Sequence, residues 1–86
     1  MFYVYGIKSQ KKNYLYVGLT NDLERRIAEH FDGKNVMTRA YRPFDLVLVE
    51  PFLTRLEARS REKYLKSGCG KEWLKKYVIS ARVVKW

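Results

Sequence analysis

Two short segments rich in tyrosine and β-branched residues, FYVYGIK and YLYVGL, most constrain how this chain folds. Each alternates side chains between two faces, which is typical of a β-strand, and the polar segment SQKKN connects them. The pattern predicts a β-hairpin that places Tyr5, Tyr16 and Gly18 on one face. If Ser9–Lys12 form a four-residue loop, Tyr5 lies directly opposite Tyr16, and two phenols share one patch.

The next segment, TNDLERRIAEHF, predicts an amphipathic helix. Asn21 is the expected N-cap, and Leu23, Ile27 and Phe31 recur every four residues to form an apolar stripe.

A neighbouring face of this helix carries Arg26 and His30, which are four residues apart. Side chains at this spacing project towards the same region.

The second half of the chain predicts a basic loop, a strand and two helices. DGKNVMTRAYRP has no sustained periodicity, whereas FDLVLVE is a continuous apolar run that predicts a third and last strand, buried on both faces. Thr54 and Glu57 form a capping box for the helix LEARSREKYLKS, which we expect Gly68 to end. KEWLKKYV predicts a short helix, and ISARVVKW is either a strand or an extended arm.

This order of elements predicts an α/β or α+β fold, in which helices pack on a small three-stranded mixed or antiparallel sheet. We expect residues 1–86 to form a single domain, since a chain of 86 residues has room for one. Hydrophobic residues make up 47% of the chain, which is enough for a core without metal or disulfide crosslinks.

The charge balance indicates a polyanionic partner. The formal net charge of +9 favours nucleic acid, although charge alone does not separate DNA from RNA or from an acidic protein. The lone Cys69 excludes an internal disulfide and a cysteine-cluster zinc site. No apolar run approaches the roughly 20 residues that span a bilayer, so we expect a cytoplasmic protein without a membrane partner.

Four ordered motifs carry a family resemblance: YVY at residues 3–5, YVG at 16–18, LERRIAEH at 23–30 and EARSREKYLKSG at 57–68. Together they resemble the GIY-YIG nuclease superfamily, over about residues 2–77. The chain most resembles the compact, free-standing members, which are similar to the nuclease module of bacterial excision repair and to structure-specific nucleases. It departs from the family pattern in reading YVY for GIY and YVG for YIG, and in lacking an asparagine after Glu62.

The resemblance implies a site residue by residue. Glu62 is the implied metal ligand, Arg26 the catalytic arginine, and Gly18 the position that lets the backbone pass close to substrate. The implied catalytic residues are Tyr5, Tyr16, Arg26, His30 and Glu62.

These residue types suit phosphodiester hydrolysis. One carboxylate, completed by waters and a substrate phosphate, is a normal arrangement for Mg²⁺ or Mn²⁺. The planar fork of Arg26 grips two phosphate oxygens. A phenolate of Tyr5 or Tyr16, or the imidazole of His30, is a candidate general base, and we place Tyr5 slightly ahead.

Further basic residues are expected to bind backbone phosphates without reading sequence. They are Lys34, Arg39, Arg42, Arg59, Lys63 and Lys66.

Each site residue also has a purely structural interpretation. The two tyrosines suit cross-strand packing, Arg26 a solvated helix face, and His30 an imidazolium near the helix C-terminus. Glu62 stands at ion-pair spacing from Arg59 and Lys66.

The favoured function is a metal-dependent endonuclease acting on nucleic acid, with structured DNA preferred over RNA. The alternative is a non-catalytic nucleic-acid-binding module on the same scaffold. A third class, an adaptor for a protein partner, predicts an exposed apolar patch around Trp73 or Trp86.

Overall fold

The computed structural model describes the backbone of residues 1–85 and the side chains of residues 1–78. Its elements follow the predicted order, with three strands and three α-helices. They are β1 (Phe2–Ser9), β2 (Leu15–Thr20), α1 (Leu23–Phe31), a 3₁₀ turn (Arg39–Tyr41), β3 (Phe44–Phe52), α2 (Arg55–Lys66) and α3 (Gly68–Lys85).

The sheet is antiparallel, with strand order β2-β1-β3, so the predicted three-stranded α+β architecture is confirmed. β1 is the central strand and pairs with both neighbours. The predicted third strand is also present, but it is an edge strand rather than one buried on both faces. Leu46 and Val49 remain 43% and 40% exposed, so this part of β3 is not fully buried on either face.

Two apolar clusters occupy opposite faces of the sheet. One is formed by Val4, Val17 and Leu48 with residues of α2 and α3. The other is formed by Tyr5, Ile7 and Phe44, against which Leu23 and Ile27 of α1 pack. Both faces of β1 are therefore covered, which follows from its alternation of large side chains on two sides.

The hairpin register differs from the prediction. Tyr5 pairs with Gly18, and Ile7 rather than Tyr5 lies opposite Tyr16. The Ser9 amide donates to the Tyr14 carbonyl at 3.0 Å, so the four-residue loop begins one position later than expected. Moving the loop by one residue shifts the pairing by two, which leaves Tyr5 and Tyr16 on the same face as diagonal neighbours.

Helix α1 begins at a different cap and buries a different residue from those expected. The N-cap is Asp22, not Asn21, and its carboxylate accepts a hydrogen bond from the Arg25 amide at 3.3 Å. Phe31 is 45% exposed and does not complete the apolar stripe. The buried residue of α1 is His30.

The capping box of α2 is confirmed, since Thr54 Oγ1 accepts from the Glu57 amide at 3.2 Å. The predicted end of the helix is wrong by a short distance. Ser67 is the C-cap, and Gly68 is already the first residue of α3.

Helix α3 is much longer than expected. The predicted short helix at residues 71–78 is one part of it, and the segment 79–85, expected to be a strand or an arm, continues the same helix. Trp86, one of the two tryptophans named for a partner surface, lies outside the described residues.

Candidate active site

Tyr5 lies at the centre of the site, on the middle strand, and its side chain has no solvent exposure. The phenol extends across β2 directly over Gly18. A Cβ atom at Gly18 would meet the Tyr5 hydroxyl and would lie 2.5 Å from Tyr5 Cζ. Glycine is therefore required at position 18, because a side chain there would occupy the same space as the phenol.

The Tyr5 hydroxyl belongs to a buried hydrogen-bonded chain. It lies 2.8 Å from Nε2 of His30, and the Nδ1 atom of the same ring lies 2.9 Å from Oγ1 of Thr38. Burial lowers the pKa of His30, and the positive charge of Arg26 lowers it further. The neutral imidazole is therefore favoured, and it holds the Tyr5 hydroxyl. The interpretation of His30 as an imidazolium favoured by the C-terminal end of α1 does not agree with this burial.

Thr38 is a site residue that the sequence did not identify. It is fully buried, yet it lies in the irregular segment after α1, where no periodicity marks it. A polar residue at an aperiodic position leaves no signal in a single sequence.

Tyr16 lies beside this buried chain and is itself only half-buried. Its ring centroid is 6.3 Å from that of Tyr5 and 5.1 Å from that of His30. Nζ of Lys66, from α2, lies 6.0 Å from the Tyr16 ring centroid. Tyr16 thus stands between the buried chain on one side and the end of α2 on the other.

Arg26 acts electrostatically on Tyr5. Burial raises the pKa of Tyr5 to about 12, and the Arg26 guanidinium opposes this rise by favouring the phenolate. The Arg26 pKa is raised in turn, chiefly by Tyr5.

The Arg26 side chain retains unused hydrogen-bonding capacity. Its Nη1 atom pairs with Glu29 at 3.4 Å, while its Nε atom is buried and has no hydrogen-bond partner among the described residues. A guanidinium with an unused buried donor can still receive an anion.

Glu62 faces the sheet and is only 7% exposed. Its two carboxylate oxygens are held by Arg59 Nη1 at 3.3 Å and by Lys66 Nζ at 3.1 Å. Its negative charge contributes to the raised pKa of Tyr5, so it acts on the same site. The ion pairs that the spacing predicted are therefore present, in a helix face that is buried rather than solvated.

The other predicted phosphate-binding residues are spread over the surface. Arg42 folds back against Gly33, whose φ of +79° favours glycine, and donates from Nε to the Arg39 carbonyl at 3.2 Å. Lys34 and Lys63 are exposed, and the structure gives their side chains no partner among the described residues.

In the described part of the chain, no group of three or more His, Cys, Asp or Glu side chains is placed to hold a metal ion. The described helices also include none that is long and apolar enough to cross a membrane.

The fold and site together define a three-stranded α+β protein with two neighbouring tyrosines on one face of the sheet, a helix-borne arginine and, among the described residues, a single buried glutamate. The family profile described as the GIY-YIG catalytic domain matches residues 1–77. The chain therefore belongs to the GIY-YIG nuclease family.

Within the family, the chain is similar to proteins named UPF0213. It is 40% identical to a UPF0213 protein of Clostridium perfringens over 99% of this chain and 89% of that protein. It is 44% identical to the UPF0213 protein YazA of Bacillus subtilis, where the match spans 65% of this chain and 58% of YazA. The solution structure of a UPF0213 protein from Bacillus halodurans superposes with a TM-score of 0.54 at 36% identity, covering 88% of this chain and 84% of that one.

Proposed function

We propose that this protein is a metal-dependent endonuclease that hydrolyses phosphodiester bonds in nucleic acid, with structured DNA as the favoured substrate. The observation that carries the proposal is the placement of Tyr16 and Glu62 beside one buried Tyr5–His30 pair. The Tyr16 ring lies beside both rings of that pair, Lys66 contacts both the Tyr16 ring and the Glu62 carboxylate, and the positive charge of Arg26 lowers the pKa of both Tyr5 and His30. These groups come from two strands and two helices. Packing of a core requires no such convergence of a phenol, a guanidinium and a carboxylate.

Glu62 is the residue proposed to hold the metal ion. A single carboxylate suits a hard cation such as Mg²⁺ or Mn²⁺, which keeps several waters and takes further oxygen ligands from substrate phosphate. Arg59 and Lys66 now occupy the Glu62 oxygens, but their side chains are 57% and 50% exposed and can turn towards solvent. The donor set therefore fits one hard cation, which when bound would supply charge neutralisation at the phosphate.

Tyr16 is the better candidate than Tyr5 for activating the attacking water. A general base must lose its proton readily and reach the substrate. Tyr5 has no solvent exposure, its pKa is about 12, and its hydroxyl is engaged by His30. Tyr16 is half-buried on the same face of the sheet. We therefore assign activation of the attacking water to Tyr16, and a positioning role to Tyr5 and His30.

Arg26 is proposed to bind the phosphoryl oxygens of the scissile group. Its charge is permanent, and its buried Nε atom has no partner among the described residues. A phosphate oxygen is the kind of acceptor that this atom lacks. The negative charge that develops on the phosphoryl group during hydrolysis would then lie against a fixed positive charge.

A cleavage panel tests the proposal. Labelled single strands, flaps, junctions, duplexes and RNA are incubated with Mg²⁺, with Mn²⁺ and with a chelator. We expect metal-dependent cleavage of at least one structured DNA, and its loss in Glu62→Gln with binding retained. Glu72→Gln is the matched control, because it makes the same chemical change at an exposed position of α3.

The non-catalytic binding module has one observation in its favour, the double ion pair that already satisfies Glu62. Binding to nucleic acid without cleavage of any substrate in either metal would establish that module. Cleavage that persists in Glu62→Gln would refute the assigned role of Glu62.

A further inference from the structure

Two recessed basic clefts lie along β2, one on each side of the candidate site. The lysine cleft, of about 460 Å³, is bounded by the first half of β2 and by α2 and α3. Its polar lining includes Lys66, Lys71 and Lys75. The arginine cleft, of about 230 Å³, lies at the other end of β2, where Arg25, Arg26 and Arg55 line it.

Both clefts touch the candidate site directly. Tyr16 and Lys66 line the lysine cleft, and Arg26 lines the arginine cleft. Gly18, over which the Tyr5 phenol passes, lies between them on the same strand. A ligand that occupied both clefts would therefore cross the site.

The charge of the two clefts is one-sided. Among the described residues, neither cleft is lined by an aspartate or a glutamate. Lys66, Arg25 and Arg26 pair with carboxylates that lie outside the linings. Lys71, Lys75 and Arg55 make no ion pair among the described residues, so each cleft keeps a positive charge that attracts phosphate.

The separation of the clefts can be estimated from two elements that run from one cleft to the other. From Leu15 to Thr20, β2 advances roughly 17 Å at about 3.3 Å per residue. From Arg55 to Lys66, α2 advances roughly 16 Å at about 1.5 Å per residue. Leu15 and Lys66 line the lysine cleft, and Thr20 and Arg55 line the arginine cleft. The two elements therefore give the same separation between the clefts, and we call the surface between the clefts along β2 the track.

The dimensions of the clefts favour a single strand. A volume of about 460 Å³ is in the range of pockets that enclose ligands of small-molecule size, and a nucleotide has that scale, whereas a double helix does not. Tyr14 also lines the lysine cleft, and aromatic rings are the surfaces on which unpaired bases stack.

We propose that an unpaired strand of nucleic acid runs along β2, with one flank in the arginine cleft and the other in the lysine cleft. This inference rests on the proposed function, and it places the reacting phosphate between Arg26 and Tyr16. Arg25, Arg55, Lys71 and Lys75 bind the flanking phosphates. The segment at the site is single-stranded even where the substrate as a whole is a structured DNA.

The test compares three double variants that each remove two positive charges. Lys71→Ala with Lys75→Ala removes two of the three lysines that line the lysine cleft, and Arg25→Ala with Arg55→Ala removes two of the three arginines that line the arginine cleft. Lys11→Ala with Lys76→Ala is the control, since these exposed lysines line neither cleft. All three are made in the Glu62→Gln background and assayed in chelator. Their thermal denaturation is compared first with that of Glu62→Gln alone, and we expect no difference because the six added substitutions are at exposed side chains.

Binding to a fluorescently labelled single-stranded DNA is measured by anisotropy over a range of salt concentrations. We expect each cleft pair to weaken binding about 10-fold or more, and to reduce the salt slope by about 1.4, because each lost phosphate contact on a single strand contributes about 0.7. The control pair should change affinity only a few-fold. A blunt duplex of the same sequence should bind more weakly and respond less to the cleft pairs.

Equal weakening by all three pairs would overturn the inference, because it would show a response to net charge alone. Equal dependence of duplex binding on the clefts would also overturn it. The outcome is separable from the proposed catalysis. Cleft-dependent strand binding by a protein that cleaves nothing would support the track and refute the nuclease. The same pairs are also assayed for cleavage with metal in the otherwise wild-type chain, where cleavage indifferent to both clefts would do the reverse.

Discussion

Two glycines at the junction of α2 and α3 are expected to respond in opposite ways to the same substitution. A Cβ atom added at Gly70 would meet the Tyr64 carbonyl oxygen and would lie 2.6 Å from Leu65 Cα. A Cβ atom added at Gly68 would meet nothing within 4 Å. The two positions are otherwise similar, since both belong to the first turn of α3 and neither has a positive φ.

The magnitude for Gly70→Ala follows from what the added methyl group touches. Carbon atoms in contact prefer about 3.5 to 4.0 Å, so the two helices must separate by roughly 1 Å at this point. Backbone atoms cannot turn aside as a flexible side chain would. Leu65 and Leu74 pack across the same α2–α3 interface, so their contacts are lost together, and we expect destabilisation of about 1–3 kcal/mol.

The assay is thermal and urea denaturation of wild type, Gly70→Ala and Gly68→Ala. For a domain of this size, 1 kcal/mol corresponds to about 4–8 °C in Tm, so Gly70→Ala should lower Tm by roughly 5–20 °C. Gly68→Ala should be neutral or stabilising by at most about 1 kcal/mol, because alanine favours a helix more than glycine does. Equal Tm values for the two variants would refute the reasoning from close backbone approach.

Three further predictions concern the site. Gly18→Ala should abolish cleavage and lower the free energy of unfolding by about 1–3 kcal/mol, because the added methyl group overlaps the Tyr5 phenol. Cleavage assays and urea denaturation measure these two effects, and full activity in the variant would contradict the prediction. Because the pKa of His30 is lowered in the folded state, the unfolded chain binds a proton at this residue at higher pH than the folded chain does, so the free energy of unfolding should fall as pH drops below about 6.5. Urea denaturation at pH 7.5 and 5.5 should show a smaller decrease in the free energy of unfolding for His30→Leu than for wild type, and an equal decrease would contradict the prediction. Ultraviolet titration should show one tyrosine ionising near pH 12 that is missing in Tyr5→Phe, and an unchanged titration curve in that variant would exclude the assignment. Because the pKa of Tyr5 is raised in the folded state, the free energy of unfolding should also fall as pH rises from about 10 towards 12.

The elements that the sequence predicted well are those with strong periodicity. β1, β2, α1 and α2 were all expected within a few residues of their bounds, because alternation and the Thr54–Glu57 box are local signals. The exposure of β3 was not predictable in the same way. An apolar run indicates a strand, but which side of it a helix will cover is decided by tertiary packing.

The site was predictable in composition more than in geometry. The motifs alone predict which residues form the site, namely Tyr5, Tyr16, Arg26, His30 and Glu62. The diagonal placement of the tyrosines depends on a hairpin loop that begins at Gln10 rather than Ser9, and a single sequence does not fix such a loop. The buried partner of His30, Thr38, lies in an irregular segment, where no pattern separates a buried residue from its exposed neighbours.

The central position of β1 has a kinetic consequence. Its β2 partner follows after a short loop, but its β3 partner begins at Phe44, so the sheet is completed only when distant parts of the chain have met. Contacts between distant residues slow folding, because the intervening chain must lose entropy before they form. Phe44, the first residue of β3, packs with Tyr5 and lies 6.5 Å from the His30 ring between centroids. The Tyr5 ring therefore reaches its final surroundings late, and refolding followed at this phenol should report the closure of the whole sheet rather than the early hairpin.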